Sequence, residues 1–139
     1  MHVQKLLPVN VGALRLWPGI SAQIVRNLLQ PPLTGLVLEA YGVGNGPTNN
    51  PDFLIALQEA TDRGVVIVDC TQCLKGSVNL EGYATGSALA RVGVVSGFDM
   101  TAEAALAKLV YLFSQNWTVA EIRELIQTNL RGELTMPQR

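Results

Sequence analysis

The chain has 139 residues with 10 basic and 11 acidic side chains, a net charge of −1 and a pI near 5.7. That is the size of one domain, and it lacks the positive field that tracks phosphate or an anionic membrane. Charged residues make up 15% of the chain and apolar ones 48%, against about 25% charged in an ordinary soluble domain. Either the core is well filled or part of the outer surface is made to be covered by another domain or subunit.

No apolar run approaches the ~20 residues needed to span a bilayer, and Met1-His2-Val3-Gln4-Lys5 does not open a secretory signal. The two cysteines, Cys70 and Cys73, fit a reducing cytoplasm better than a disulfide scaffold.

Segments of strand and helix period alternate along the chain, the pattern of a parallel sheet with crossover helices. A first strand is predicted over Ala13 to Trp17, closed by Pro18-Gly19. Ser21 then caps a helix whose apolar stripe is Ile24, Val25, Leu28 and Leu29, and Pro31-Pro32 stops it. Gly35 to Ala40 is nearly all apolar and predicts a strand buried on both faces.

After the loop YGVGNGPTNN, Asn50 caps a helix with Pro51 at its first position and Asp52 in its first turn. Its predicted face is Leu54, Leu57 and Ala60, and Gly64 leads into a strand over Val65 to Asp69. A loop from Thr71 to Gly82, a helix from Thr85 to Val92 and a short strand from Val94 to Ser96 follow. Thr101 starts a helix with Leu106, Leu109, Val110 and Phe113 on one face. Thr118 and Glu121 form a capping box for a last helix through Ile122, Leu125 and Ile126. The expectation is one α/β domain, three-layer and Rossmann-like, with a parallel sheet of about four strands and helices on both sides.

Candidate chemistry is sparse. Gly42, Gly44 and Gly46 lie between a buried strand and a capped helix, where a phosphate cradle would be placed. The dinucleotide fingerprint fails because its last glycine position holds Pro47, and no Walker lysine follows. A structural turn and a polar loop touching a ligand or partner through Asn45 both remain open.

Cys70-Thr71-Gln72-Cys73 is a CxxC at a strand end, but Leu74 to Ser77 does not read as the helix a redox thiol needs. A zinc site lacks two further ligands, since His2 is the only histidine. No metal or cofactor is expected, and structural or incidental thiols are the favoured reading. With that one histidine at the chain's end no Ser-His arrangement forms, and Glu121 and Glu124 fall on an exposed helix face.

Five stretches in order resemble one family: LRLWPGIS at 14–21, YGVGNGP at 41–47, ALQEATDRG at 56–64, TQCLKGSVNLEGYATGSALARVGVVSGFDMTAEAALAKL at 71–109 and NLRGELT at 129–135. Together they are similar to the C-terminal domain of type I, cytoplasmic L-asparaginases. The resemblance implies residues 1–10 as a leader or artificial start and residues 11–139 as the C-terminal α/β domain. The catalytic threonines of the family stand in TGGTI-like and TDT-like segments of an N-terminal domain. Neither segment occurs here, and Thr85-Gly86-Ser87 and Thr61-Asp62-Arg63 are only fragments of other motifs.

The family's activity is hydrolysis of L-asparagine to L-aspartate and ammonia through a threonine acyl-enzyme, so this chain alone is expected to be inactive. The implied partners are an N-terminal asparaginase domain and a second subunit whose active site this domain closes, with no nucleic acid and no membrane. Asn45 is the residue expected to reach that site, with capping of its own turn as the competing role.

Some bacterial members bind a second asparagine through an arginine before YGVGN and the threonine and cysteine of TQC. The matching positions here are Glu39, Thr71 and Cys73, so an anion replaces the cation. Glu39 repels a carboxylate, which predicts no effector site or one turned round to hold the ammonium. The alternative resemblances are the equivalent domain of a glutamyl-tRNA amidotransferase D-subunit and a stand-alone amino-acid-binding module.

Overall fold

The structure is a computed structural model and describes residues 5–42, 44–73, 76–80 and 84–136, with the backbone alone described at 84 and 85. His2, Leu74, Lys75 and Glu81 to Tyr83, which the sequence reading touches, lie outside the described residues. The elements alternate as β1 (Val11–Arg15), α1 (Ala22–Leu28), β2 (Gly35–Ala40), α2 (Pro51–Asp62), β3 (Val66–Thr71), α3 (Ala84–Arg91) and β4 (Val95–Ser96). Two helices, α4 (Ala102–Phe113) and α5 (Val119–Ile126), complete the chain.

The four strands form one parallel sheet in chain order, β1-β2-β3-β4, with Val11 opposite Gly35, Gly35 opposite Val66 and Val68 opposite Val95.

Side chains alternate across a strand, and the central strands use that period to build two cores. Leu36, Leu38, Ala40 and Ile67 point to the face covered by Val25 of α1 and Leu29 at its cap, Phe53 and Leu57 of α2 and Leu89 of α3. Val37, Val66, Val68 and Cys70 point to the other face, under Ala105, Leu109 and Leu112 of α4 and Ile122 and Ile126 of α5. Each large side chain removed from water this way contributes roughly 1.5–3 kcal/mol. The three expected layers are present.

Local signals hold where a cap decides them. Ser21, Asn50, Thr101 and Thr118 each accept a hydrogen bond from a first-turn amide, and the Thr118–Glu121 capping box closes in both directions. Faces and strand ends moved where neighbours decide them. β1 begins at Val11 rather than Ala13, because its ladder runs opposite Gly35 to Glu39, and Leu16 turns into the core.

On α1 only Val25 is buried within the helix, with Leu29 at its cap, while Ile24 is 50% and Leu28 37% exposed. On α4 the buried set is Ala105, Lys108, Leu109 and Leu112. β3 runs on through Cys70 to Thr71, two residues past the predicted end. No helix among the described residues is long and apolar enough to cross a membrane.

Candidate functional site

The carboxyl ends of parallel strands are where open α/β sheets place ligands, and here they carry the glycine loop, the CxxC and Glu39. The loop leaves β2 as a turn closed by its own main chain. Tyr41 N donates to Asn45 O at 2.8 Å, and Gly44 N and Asn45 N both donate to Tyr41 O at 2.9 and 2.8 Å. Those amides are therefore not displayed to a phosphate. The backbone bonds close the turn without the Asn45 side chain. The side chain is half-buried and its amide makes no hydrogen bond to the described residues, which leaves a donor and an acceptor open at the rim.

Gln72 locks the strand ends below the turn. Its Nε2 donates to Leu16 O at 2.6 Å and Glu39 O at 2.9 Å, and its amide donates to Ala40 O. One side chain thus joins the ends of β1, β2 and β3. Thr71 Oγ1 donates to Gly42 O, fixing the turn to β3, and accepts from Cys73 N at 3.0 Å. Cys73 itself is an exposed free thiol.

Register sets Glu39 opposite Cys70 and Thr71 opposite Ala40, so alternation sends the Glu39 and Thr71 side chains to opposite faces of the sheet. Glu39 faces Arg15 of the neighbouring strand, Nε to Oε1 at 3.8 Å. The sequence reading saw Glu39 without this cation, because strand register cannot be read from spacing alone.

The buried acid Asp69 was missed. It is fully buried near the end of β3, and neither carboxylate oxygen has a hydrogen-bond partner among the described residues. Burial pushes its carboxyl up from 3.8 to about 8, the direction desolvation dictates for an acid. The signal was present in the sequence as a single charged residue inside an otherwise apolar strand. Cys70 next to it is buried, and burial, with the charges of Asp69, Glu39 and Glu103 adding, pushes its thiol up to about 12. A thiol so firmly protonated is not a nucleophile.

Among the described residues no three His, Cys, Asp or Glu side chains are grouped to hold a metal. No described hydroxyl shares a hydrogen bond with a histidine or a lysine side chain, the arrangement that activates a nucleophile.

The NLRGELT stretch is pinned rather than open. Glu133 accepts from Lys108 Nζ at 2.5 Å and from the amides of Leu130 and Arg131 at 2.9 and 2.6 Å. Asp99 accepts from Thr135 N at 2.7 Å. A cleft of about 570 Å³ beside Lys108, Tyr111 and Arg131 borders this clamp, and another of about 740 Å³ lies beside Val78, Ser96 and Phe98. Neither is lined by Glu39, Asn45, Thr71 or Cys73.

Comparison with known proteins matches this geometry to a family. The chain is 53% identical over 133 residues to L-asparaginase 1 of Escherichia coli, covering 96% of this chain and 39% of that protein. It is 54% identical over 136 residues to the human 60 kDa lysophospholipase, covering 97% of this chain and 23% of that one. It is 34% identical to the glutamyl-tRNA(Gln) amidotransferase D-subunit of Pyrococcus horikoshii over 96% of this chain and 30% of that one.

The crystal structure of L-asparaginase I from Vibrio cholerae superposes with a TM-score of 0.90 at 50% identity, over 94% of this chain and 39% of that one. The chain therefore spans about two fifths or less of the proteins it matches. The family model of the glutaminase/asparaginase C-terminal domain covers residues 10–126, and the chain belongs to that family.

Proposed function

We propose that this chain is the subunit-pairing and site-completing domain of a cytoplasmic L-asparaginase, and that hydrolysis of L-asparagine to L-aspartate and ammonia belongs to a larger protein in which an N-terminal domain supplies the catalytic threonines. The observation that supports this most is Asn45. Its side-chain amide makes no hydrogen bond to the described residues and stands on a turn held by its own backbone and by Thr71, which is what a group that reaches a neighbour's substrate needs. The exposed apolar side chains Ile24 and Leu28 on α1 and Ile55 on α2 supply surface for pairing. The chain alone contains no activated nucleophile among its described residues and has no asparaginase activity of its own.

Glu39, Thr71 and Cys73 do not form an effector site for a second asparagine within one chain. Glu39 repels the carboxylate and already faces Arg15, and Thr71 leaves the sheet on the other face. The amidotransferase reading has the lower identity. The lysophospholipase relative is as similar as the asparaginase, so the test includes its substrate class.

The test is ammonia release from asparagine and fatty-acid release from a lysophospholipid. Both are measured for the chain alone and for a chimera in which residues 11–139 replace the matching part of Escherichia coli L-asparaginase 1. The chain alone gives neither product, and the chimera releases ammonia. Asn45→Ala in the chimera lowers kcat/KM roughly 10- to 100-fold, the loss of one hydrogen bond to a charged substrate. Ammonia from the purified chain alone, or a chimera indifferent to Asn45→Ala, overturns the proposal.

A further inference from the structure

We propose that Asp69 is a positioning residue for Gly44 in the turn that follows β2, a carboxyl that lets Gly44 lie against β3 while it carries its proton and displaces it when the proton leaves. The geometry is a glycine laid directly over an acid. Gly44 has φ of +104°, and a Cβ there would come within 2.8 Å of Asp69 Oδ2 and 2.7 Å of Val78 Cγ1. Only a residue without a side chain fits that notch in that backbone conformation. Asp69 is closed off beneath it, with no donor for either oxygen among the described residues.

A protonated carboxyl tolerates such a place, whereas a carboxylate there is an uncompensated buried charge that must find a donor or water. Of the walls around it, the turn is the one with the fewest bonds to its neighbours among the described residues. β3 is hydrogen-bonded on both sides, and Val78 is held by its amide to Phe98 O and by Ser96 Oγ donating to Val78 O. The turn's bonds are mostly internal to it, and Thr71 to Gly42 is its tie to β3.

Among the described residues no nearby charge alters this balance. The turn contributes Tyr41, whose hydroxyl is also buried without a partner among the described residues. β3 contributes Cys70 and β2 contributes Glu39, both on the opposite face. Glu103 of α4 lies on that opposite side too, and Asp52 is exposed at the start of α2. Described residues 76–80 and β4 contain no titratable side chain. Burial is the influence that raises Asp69 among the described residues, and it places the titration at about 8.

Any effect of pH on a substrate site rests on the reading of Asn45 above, but this latch between Asp69 and Gly44 does not. The test is therefore NMR on the chain without substrate, from pH 5.5 to about 9.5. The Asp69 carboxyl carbon titrates near 8, the amides of Gly42, Gly44 and Asn45 follow with the same midpoint, and the contact between Gly44 Hα and the Val78 methyls fades to less than half. In Asp69→Asn those amides and that contact are flat with pH.

A carboxyl titrating in the ordinary range, or a turn that keeps its Val78 contact above the midpoint, overturns the proposal. If Asp69→Asn does not fold, the carboxyl and turn signals of the unmodified chain decide the matter alone. A chimera without ammonia release leaves this result standing, and a failed latch leaves the asparaginase reading standing.

Discussion

Asp69 sits among Val66, Ile67, Val68 and Cys70, all buried, and its folded-state titration near 8 lies above the 3.8 of the free side chain. The native state therefore holds a proton that the unfolded chain releases. Its contribution to stability is complete below about 3.8 and is lost as pH rises through 8, at about 1.4 kcal/mol per pH unit between those limits. Asp69→Asn removes that slope. Urea denaturation at pH 5, 6, 7 and 8 is expected to show the variant gaining on the parent at each step, and parallel curves contradict it. An acid in a strand read as VVIVD was visible in the sequence. Its lack of a partner was not, because Gly44 and Val78 come to it from other loops. The same holds for Glu39, whose identity was read correctly and whose companion Arg15 comes from strand pairing.

Helix starts were legible because a cap is a local contract between residues two or three positions apart, as Asn50 with Asp52 and Thr118 with Glu121 show. Helix faces were less so. Lys108 stands at a buried position of α4 because Glu133, far along the chain, supplies its counter-charge, and no periodicity announces such a pair. Burial alone would raise the Glu133 carboxyl, but hydrogen bonds from Lys108 and from the Leu130 and Arg131 amides hold it at about 2, below 4.5. The clamp's contribution is present above 4.5 and lost as pH falls through about 2. Removing one partner strands the other, so Glu133→Ala is expected to cost about 3 kcal/mol. It should also speed hydrogen exchange at Leu130 and Arg131. A loss under 1 kcal/mol in urea denaturation counts against a buried clamp.

At the scale of the molecule, the order of elements followed from alternating periods, and the four-stranded parallel sheet agrees with it. Where exposed apolar surface lies did not follow, since low charge reports that apolar area exists and not where. With Ile24, Leu28 and Ile55 exposed, a paired chain is expected. X-ray scattering should return a radius of gyration near 19 Å for two copies rather than about 14 Å for one, and the smaller value at high concentration contradicts pairing by this domain alone. The strand order carries one more consequence. Because β1, β2, β3 and β4 lie in the sheet as they lie in the chain, no strand has to be threaded between two already joined. The sheet can accrete during folding, each βα unit closing a loop of similar length onto the edge left by the last. Accretion stops at β4, whose two residues offer too short a row of free amides and carbonyls to template a fifth strand from another molecule.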